Sequence, residues 1–394
     1  MAIDAEQAGG ARLLAGASWQ VSSETRGFFY IGGRYVEVEG GTVMVDQAYV
    51  SWRRPQRLLA SCPIVMIHGG GLMGTSFEGT PDGRPGWADY FVANGFEVYV
   101  IDQPARGRSP YHPEVHGAWT SIATKHVAVI ERRLTATAVY GLWPQAALHD
   151  QWPGTGRMGD PYFDEFCAAQ IRMIADGATV ERLMRRAGRA LLERIGRAVV
   201  LTHSHAGSLG WQIGDECPDF VAAIVAVEPA GPPFVNLEMI GGDEYAKVKD
   251  LARPYGITAE PLAYDPPVTD PPVAGGVGQL LAGAVRPAGA PDFWRLQAEP
   301  ARRLINLARL PIVVVTGEAS YHAVYDAATV AYLRQAGVAA DHLLLAEQGI
   351  GGNGHMMMLE KNNLQIAWVI HGWLAGRELC EPPPGQGGDP AAPA

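Results

Sequence analysis

The chain has 394 residues, 47% of them hydrophobic, which suffices for one large α/β domain with insertions or two modest ones. Its formal net charge is −10 and it holds no basic block, which argues against nucleic acid as a partner. Cys62, Cys167, Cys217 and Cys380 stand far apart with no CxxC pair, so neither a zinc knuckle nor a disulfide framework is indicated.

The first ten residues carry Asp4 and Glu6 and no basic stretch leading into an apolar core. No export leader is read there, and the expected compartment is the cytoplasm, although removal of a leader would leave a similar start. No apolar run is long enough to span a membrane. Residues 1–20 are weakly patterned and expected to be peripheral. Phe28–Ile31, Tyr35–Val38 and Thr42–Val45 are short β-type runs separated by glycine pairs, which predicts an antiparallel meander at a sheet edge. Pro63–Ile67 is short and wholly apolar, as a parallel strand buried on both faces requires, and it ends in His68-Gly69-Gly70-Gly71. A helix around Trp87–Asn94, closed by Gly95, and a strand at Phe96–Ile101 complete a βαβ unit.

From 111 to about 170 the periodicity fades into a stretch rich in aromatics, prolines and glycines, read as an inserted cap or lid. Thr179–Ile195 returns to helical spacing, with Leu183, Ala187, Leu191 and Ile195 on one face. The next apolar run ends in Thr202-His203-Ser204-His205-Ala206, followed by a helix-compatible segment. Val221–Val227 is another buried strand, ending in Glu228-Pro229. A second irregular stretch, 234–300, contains the segments Asp265-Pro266-Pro267 and Asp270-Pro271-Pro272, which are excluded from core strands. Pro311–Val315 is the next strand, with Gly317-Glu318 at its end. A helix over Ala327–Ala336, a strand at His342–Leu345, a glycine loop and a helix over Asn362–Leu374 follow. The Pro/Gly-rich tail, 376–394, is expected to be disordered. The expected architecture is a single α/β domain over 1–394, with a mostly parallel sheet, helices on both faces, antiparallel N-terminal strands and the two insertions.

Strand, tight turn and helix around Ser204 resemble the pattern Gly-x-Ser-x-Gly, in which small residues allow strand and helix to pass closely and push a serine hydroxyl over the sheet edge. Here Thr202 and Ala206 occupy the glycine positions, and Thr202 is the larger departure. Acyl transfer by a serine requires a base, a group that orients the base, and donors for the oxyanion. His355, in a mobile-looking loop Gly351-Gly352-Asn353-Gly354-His355, is the candidate base; His203 and His205 flank the serine, but adjacent side chains point away from it. The backbone amides of Gly70 or Gly71, with that of His205, are candidate oxyanion donors. The acid has two candidates, Glu228 and Glu318, each at the end of a strand. No metal and no organic cofactor is called for.

The order Ser…Glu…His on alternating strands and helices resembles the α/β-hydrolase superfamily, from about Pro63 to Leu374. Within it the chain is similar to bacterial serine esterases whose catalytic glutamate follows strand six rather than strand seven. The segments that carry the likeness are His68–Leu72, Thr80–Arg84, Ile101-Asp102-Gln103, Arg106–Ser109, Thr202–Gly207 and Asn353–Met358, with Asn362-Asn363-Leu364 behind them. The resemblance implies Ser204 as nucleophile, His355 as base, Glu228 as acid and the loop after His68 as oxyanion donor. Two features point the same way for the acid. Gly317-Glu318-Ala319-Ser320 places Ser320 where a Gly-x-x-Asp acid would stand, and Pro229 fixes the turn behind Glu228. The expected activity is hydrolysis of small-molecule carboxylic esters through an acyl-enzyme. Amide or C–C bond hydrolysis, a lyase reaction, and a non-catalytic binding protein are the alternatives on this scaffold. The aromatics of the insertions suggest an apolar or aromatic substrate group or simply pack the cap. The sequence leaves the oligomeric state open, a homodimer included.

Overall fold

The structure, a computed structural model, describes residues 24–121, 126–268, 280 and 283–381. Its centre is an eight-stranded sheet in the order β1-β4-β6-β5-β7-β8-β13-β14. β1 (Thr25–Ile31) and β4 (Ala48–Arg54) form the antiparallel edge. β6 (Val98–Asp102), β5 (Ile64–Ile67), β7 (Ala198–His203), β8 (Val221–Val227), β13 (Ile312–Thr316) and β14 (Ala340–Leu344) run parallel. In chain order within this sheet, β8 is the sixth strand and β13 the seventh. The predicted N-terminal meander is split. β1 joins the sheet edge, whereas β2 (Arg34–Val38) and β3 (Gly41–Val45) form a separate hairpin.

The apolar runs are central strands because both of their faces are covered. Side chains alternate across the pleat. Val65, Ile67, Val200, Ile224 and Ala226 enter one core, and Ile64, Met66, Leu201, Val225 and Val227 enter the other. The first core is closed by α2 (Gly177–Ile195), α3 (Ala206–Glu216) and α4 (Asp326–Gln335), through Leu183, Leu191, Leu209, Ile213 and Leu333. The second is closed by α1 (Trp87–Ala93) and α5 (Asn363–Ala375), through Trp87, Phe91, Ile366 and Ile370. Asp176 caps α2 by accepting from the Thr179 amide at 3.1 Å.

The stretch 111–170 lies between β6 and α2 and holds short helical pieces, among them a π-helix at Glu131–Thr135. Trp143 and Trp152 are packing groups. Trp143 Nε1 donates to the Ala319 carbonyl at 3.0 Å, and Trp152 meets Phe166 edge to face. The stretch 234–300 is less irregular than its prolines suggest. It contains the ribbon of β9 (Val235–Met239) and β10 (Ala246–Leu251), and it begins a second ribbon, in which β11 (Tyr264–Asp265) pairs with β12 (Arg303–Leu304). Asp270-Pro271-Pro272, residues 1–20 and most of the tail lie outside the described residues. The start of the tail is ordered: Cys380 bridges Ala60, and the Leu379 carbonyl accepts from the Ser61 amide at 3.1 Å.

Candidate active site

The parallel strands end side by side, and their C-terminal loops supply the site. Ser204 follows β7 with φ 57°, a left-handed conformation that a side chain disfavours. Three backbone hydrogen bonds hold it there. Its amide donates to the Val227 carbonyl at 2.9 Å, and its carbonyl accepts from the amides of Gly207 at 2.9 Å and Ala230 at 2.8 Å.

The glycine missing at Thr202 has moved across the contact. Thr202 Cγ2 lies over Gly210 of α3, where an added Cβ would come within 2.8 Å of it. Strand and helix therefore still pass closely, with the small residue on the helix. Gly207 does the same opposite Pro229, where an added Cβ would lie 2.4 Å from the proline ring.

Glu228 leaves β8 with φ 46°, and its amide donates to the Val315 carbonyl at 3.0 Å. Its fully buried carboxylate receives three donors. Gly317 N donates to Oε1 at 2.8 Å, Ser320 Oγ to Oε2 at 2.7 Å, and His355 Nδ1 lies 2.5 Å from Oε2. His355 Nε2 lies 2.8 Å from Ser204 Oγ. The structure thus brings Ser204, His355 and Glu228 into one hydrogen-bonded line. It leaves Glu318 out of it: the Glu318 carboxylate accepts from the Gly352 amide at 2.9 Å. Burial drives the histidine well below its ordinary range, helped by the nearby His203, His322 and Arg133. Burial also raises Glu228, with the Asp326 charge adding to it and the Ser320 and Gly317 donors opposing it. The neutral imidazole is the form that burial favours, and a proton on Nδ1 would let that nitrogen donate to the Glu228 carboxylate.

The His355 loop is tied down on several sides despite its glycine content. Residues 352–360 are buried, and the Glu360 carboxylate gathers them. It accepts from Gly354 N at 3.0 Å and Asn353 Nδ2 at 2.8 Å, and it meets His149 Nε2 at 2.8 Å. Asn353 and Asn362 pair through their amides at 2.6 and 2.9 Å. His203 lies beneath the loop, with Nε2 3.0 Å from the His355 carbonyl, and burial pushes its pKa down to about 3. Its Nε2 faces that carbonyl, so it supports the loop.

Gly69 and Gly70 lie against the serine turn. An added Cβ at Gly69 would sit 3.0 Å from Ser204 Cβ, and one at Gly70 would sit 3.4 Å from His205 Cβ. Gly71 has φ 76°, which a glycine adopts freely. The loop's carbonyls are tied back: Gln103 Nε2 donates to the His68 carbonyl at 2.6 Å and Arg106 Nη1 to the Gly69 carbonyl at 2.9 Å. His205 opens α3, so its amide belongs to the unpaired first turn of the helix.

Sequence reasoning missed a second group. His322 stacks on His355, with ring centroids 4.6 Å apart and planes 4° apart. Its Nδ1 meets Asp326 at 2.9 Å and its Nε2 meets the Tyr325 hydroxyl at 2.9 Å. The signal was present as His322 and Asp326 at i,i+4, but buried structural pairs share that spacing. Glu228, His322 and His355 bring potential metal-ligand atoms within 4.8 Å of one another. Both nitrogens of each ring are already engaged in the bonds above, so a metal would have to displace them.

A sheet in this order, with a serine at the turn after β7 and a histidine loop after β14, defines an α/β-hydrolase. No family model matches the chain. A probable secreted lipase of a fungus (Fungal sp., strain ATCC 74256) is 47% identical over 354 residues, covering 89% of this chain and 90% of its own. The structure also resembles an atomic-resolution structure of a novel bacterial esterase, with a TM-score of 0.54 and 24% identity over 90% of this chain and 96% of that one. The chain belongs to the family of that fungal lipase, within the α/β-hydrolases, and it is a carboxylic ester hydrolase. The cytoplasmic expectation is corrected: the fungal relative is a secreted protein, which points outside the cell. That expectation rested on residues 1–10, which lie outside the described residues. Among the described residues, no helix is long and apolar enough to cross a membrane.

Proposed function

We propose that the protein cleaves its ester through an acyl-enzyme on Ser204, with His355 as general base and acid and Glu228 as the orienting carboxylate. One observation carries this reading: a strained serine in line with a neutral buried imidazole and a carboxylate, at 2.8 and 2.5 Å. Ser204 Oγ attacks the carbonyl carbon while His355 Nε2 takes its proton. The carbonyl oxygen becomes an oxyanion, for which the amides of Gly70 or Gly71 and of His205 are the donors. As the ester C–O bond breaks, the imidazolium gives its proton to the departing alcohol. Water, deprotonated by the same nitrogen, then releases the acid and restores the serine. Glu228 keeps the imidazole in the Nδ1–H tautomer and balances its charge while it is protonated.

Ser204→Ala should lower kcat on a nitrophenyl ester by about 10⁶-fold with an unchanged circular dichroism spectrum. A fluorophosphonate should label Ser204, as read by peptide mass. Activity within tenfold of the parent, or labelling elsewhere, would overturn the assignment.

A further inference from the structure

The cleft beside Ser204 has a volume of about 310 Å³, and Arg133, Lys249 and Arg253 line it with no aspartate or glutamate among their neighbours in the wall. The chain as a whole carries −10, so this positive concavity runs against the average charge of its surface.

Among the described residues, none of the three forms an ion pair with a carboxylate. Arg253 is buried, and its guanidinium donates only to neutral acceptors: to the Pro232 carbonyl at 2.7 and 3.2 Å, to the Val235 carbonyl, and to Asn236 Oδ1 at 3.0 Å. Glu181 and Asp250 reach it only through their longer-range field. Burial lowers its pKa to about 10, which leaves it charged at neutral pH. The guanidinium carbon of Arg133 lies 4.4 Å above the Tyr321 ring, and its buried Nε has no hydrogen-bond partner. The Tyr321 ring in turn lies 4.8 Å from the His355 ring, so this cation stands beside the reacting groups. Next to Lys249, Asp250 is engaged by Asn236 at 2.7 Å. A buried guanidinium without an anion beside it costs free energy, and a fork-shaped guanidinium matches a carboxylate.

We propose that this cleft selects esters that carry a carboxylate, on either the acyl or the alcohol part, with Arg133 as the contact and Arg253 and Lys249 supplying field. This rests on the reading of Ser204 as the ester-cleaving nucleophile. Leu237, Met239, Tyr321 and Tyr325 stand in the same wall and would take the apolar part of such an ester.

The test compares matched esters in a pH-stat. Monomethyl adipate is set against methyl hexanoate for the acyl side, and γ-acetoxybutyrate against butyl acetate for the alcohol side. In at least one pair the charged ester should have the higher kcat/KM, by about tenfold or more, the range that hydrogen bonds to a charged group supply. The ratio should fall with added salt. Arg133→Gln should lower that ratio about 10- to 100-fold, Lys249→Gln should lower it less, and Arg133→Lys should restore part of it. Circular dichroism separates misfolding of Arg133→Gln from loss of selectivity, and the exposed Lys249→Gln provides a variant without that risk. Neutral esters preferred in both pairs, or a ratio indifferent to Arg133 and Lys249, would overturn the proposal and leave the nucleophile assignment standing. Turnover of every ester that survives in Ser204→Ala would instead overturn the assignment on which the proposal rests.

Discussion

Replacing the Glu228 carboxylate by its amide changes one oxygen and disrupts the site's proton placement. The carboxylate faces three donors: the Gly317 amide and the Ser320 hydroxyl at 2.8 and 2.7 Å, and His355 Nδ1 at 2.5 Å. An amide group offers one acceptor oxygen. If that oxygen stays with Gly317 N, the NH₂ group faces Ser320 and His355 and donates to Nδ1. The ring proton then moves to Nε2, where it points at Ser204 Oγ, and that nitrogen can no longer accept the serine proton. Wrong-tautomer losses are about 10⁴-fold in kcat, equivalent to about 5.5 kcal/mol of transition-state stabilisation. Glu228 does not line the cleft, so KM should change little. Glu318→Gln removes only an acceptor for the Gly352 amide and should cost less than tenfold. Initial rates on nitrophenyl butyrate for both variants, with thermal melts to verify folding, decide the matter. If Glu228→Gln stays within tenfold of the parent while Glu318→Gln falls by orders of magnitude, the acid has been misassigned.

The pH profile of kcat/KM should rise through a single histidine ionisation and then level. The neutral imidazole is the reactive form and burial depresses its pKa, so the midpoint should lie below the ordinary histidine value of about 6.5. A midpoint above that value would contradict the burial argument. Gly210→Ala should gain about 1 kcal/mol in helix propensity but lose about 1–3 kcal/mol to the clash with Thr202 Cγ2, and Thr202→Ala in the same chain should relieve that loss. Urea unfolding of the two single variants and the double variant reads the coupling; additivity within about 0.5 kcal/mol would show that the pair does not interact.

Much of the fold was legible because buried parallel strands announce themselves as apolar runs that end in glycine, serine or acidic turns. Val221–Val227 and Pro311–Val315 needed no partner to be recognised. The serine turn and the histidine loop were legible for the same reason: each stands at a strand end. The β9–β10 ribbon was not, because its strand Ala246–Leu251 is largely exposed and charged, and exposed ribbons carry little hydrophobic signal. The rigidity of the His355 loop was also hidden. Glycines in sequence suggest freedom, whereas a buried Glu360 that collects Gly354, Asn353 and His149 removes it. Thr202 read as a flaw because its compensation, Gly210, sits eight residues on and is revealed only by the strand–helix approach. The cations of the cleft come from three segments that the sequence does not connect.

The Ser320 hydroxyl and the Glu228 carboxylate share a single hydrogen bond, although they leave different strands of the sheet. The carboxylate proposed to orient His355 is therefore held by a side chain from the neighbouring strand end. A chain carrying Ser320→Asp and Glu228→Ser would move the charge to the other strand end, with the histidine, its loop and the serine left in place. Since the hydroxyl and the carboxylate already touch, an intermediate sequence carrying both acids would share one proton between them rather than lose the interaction.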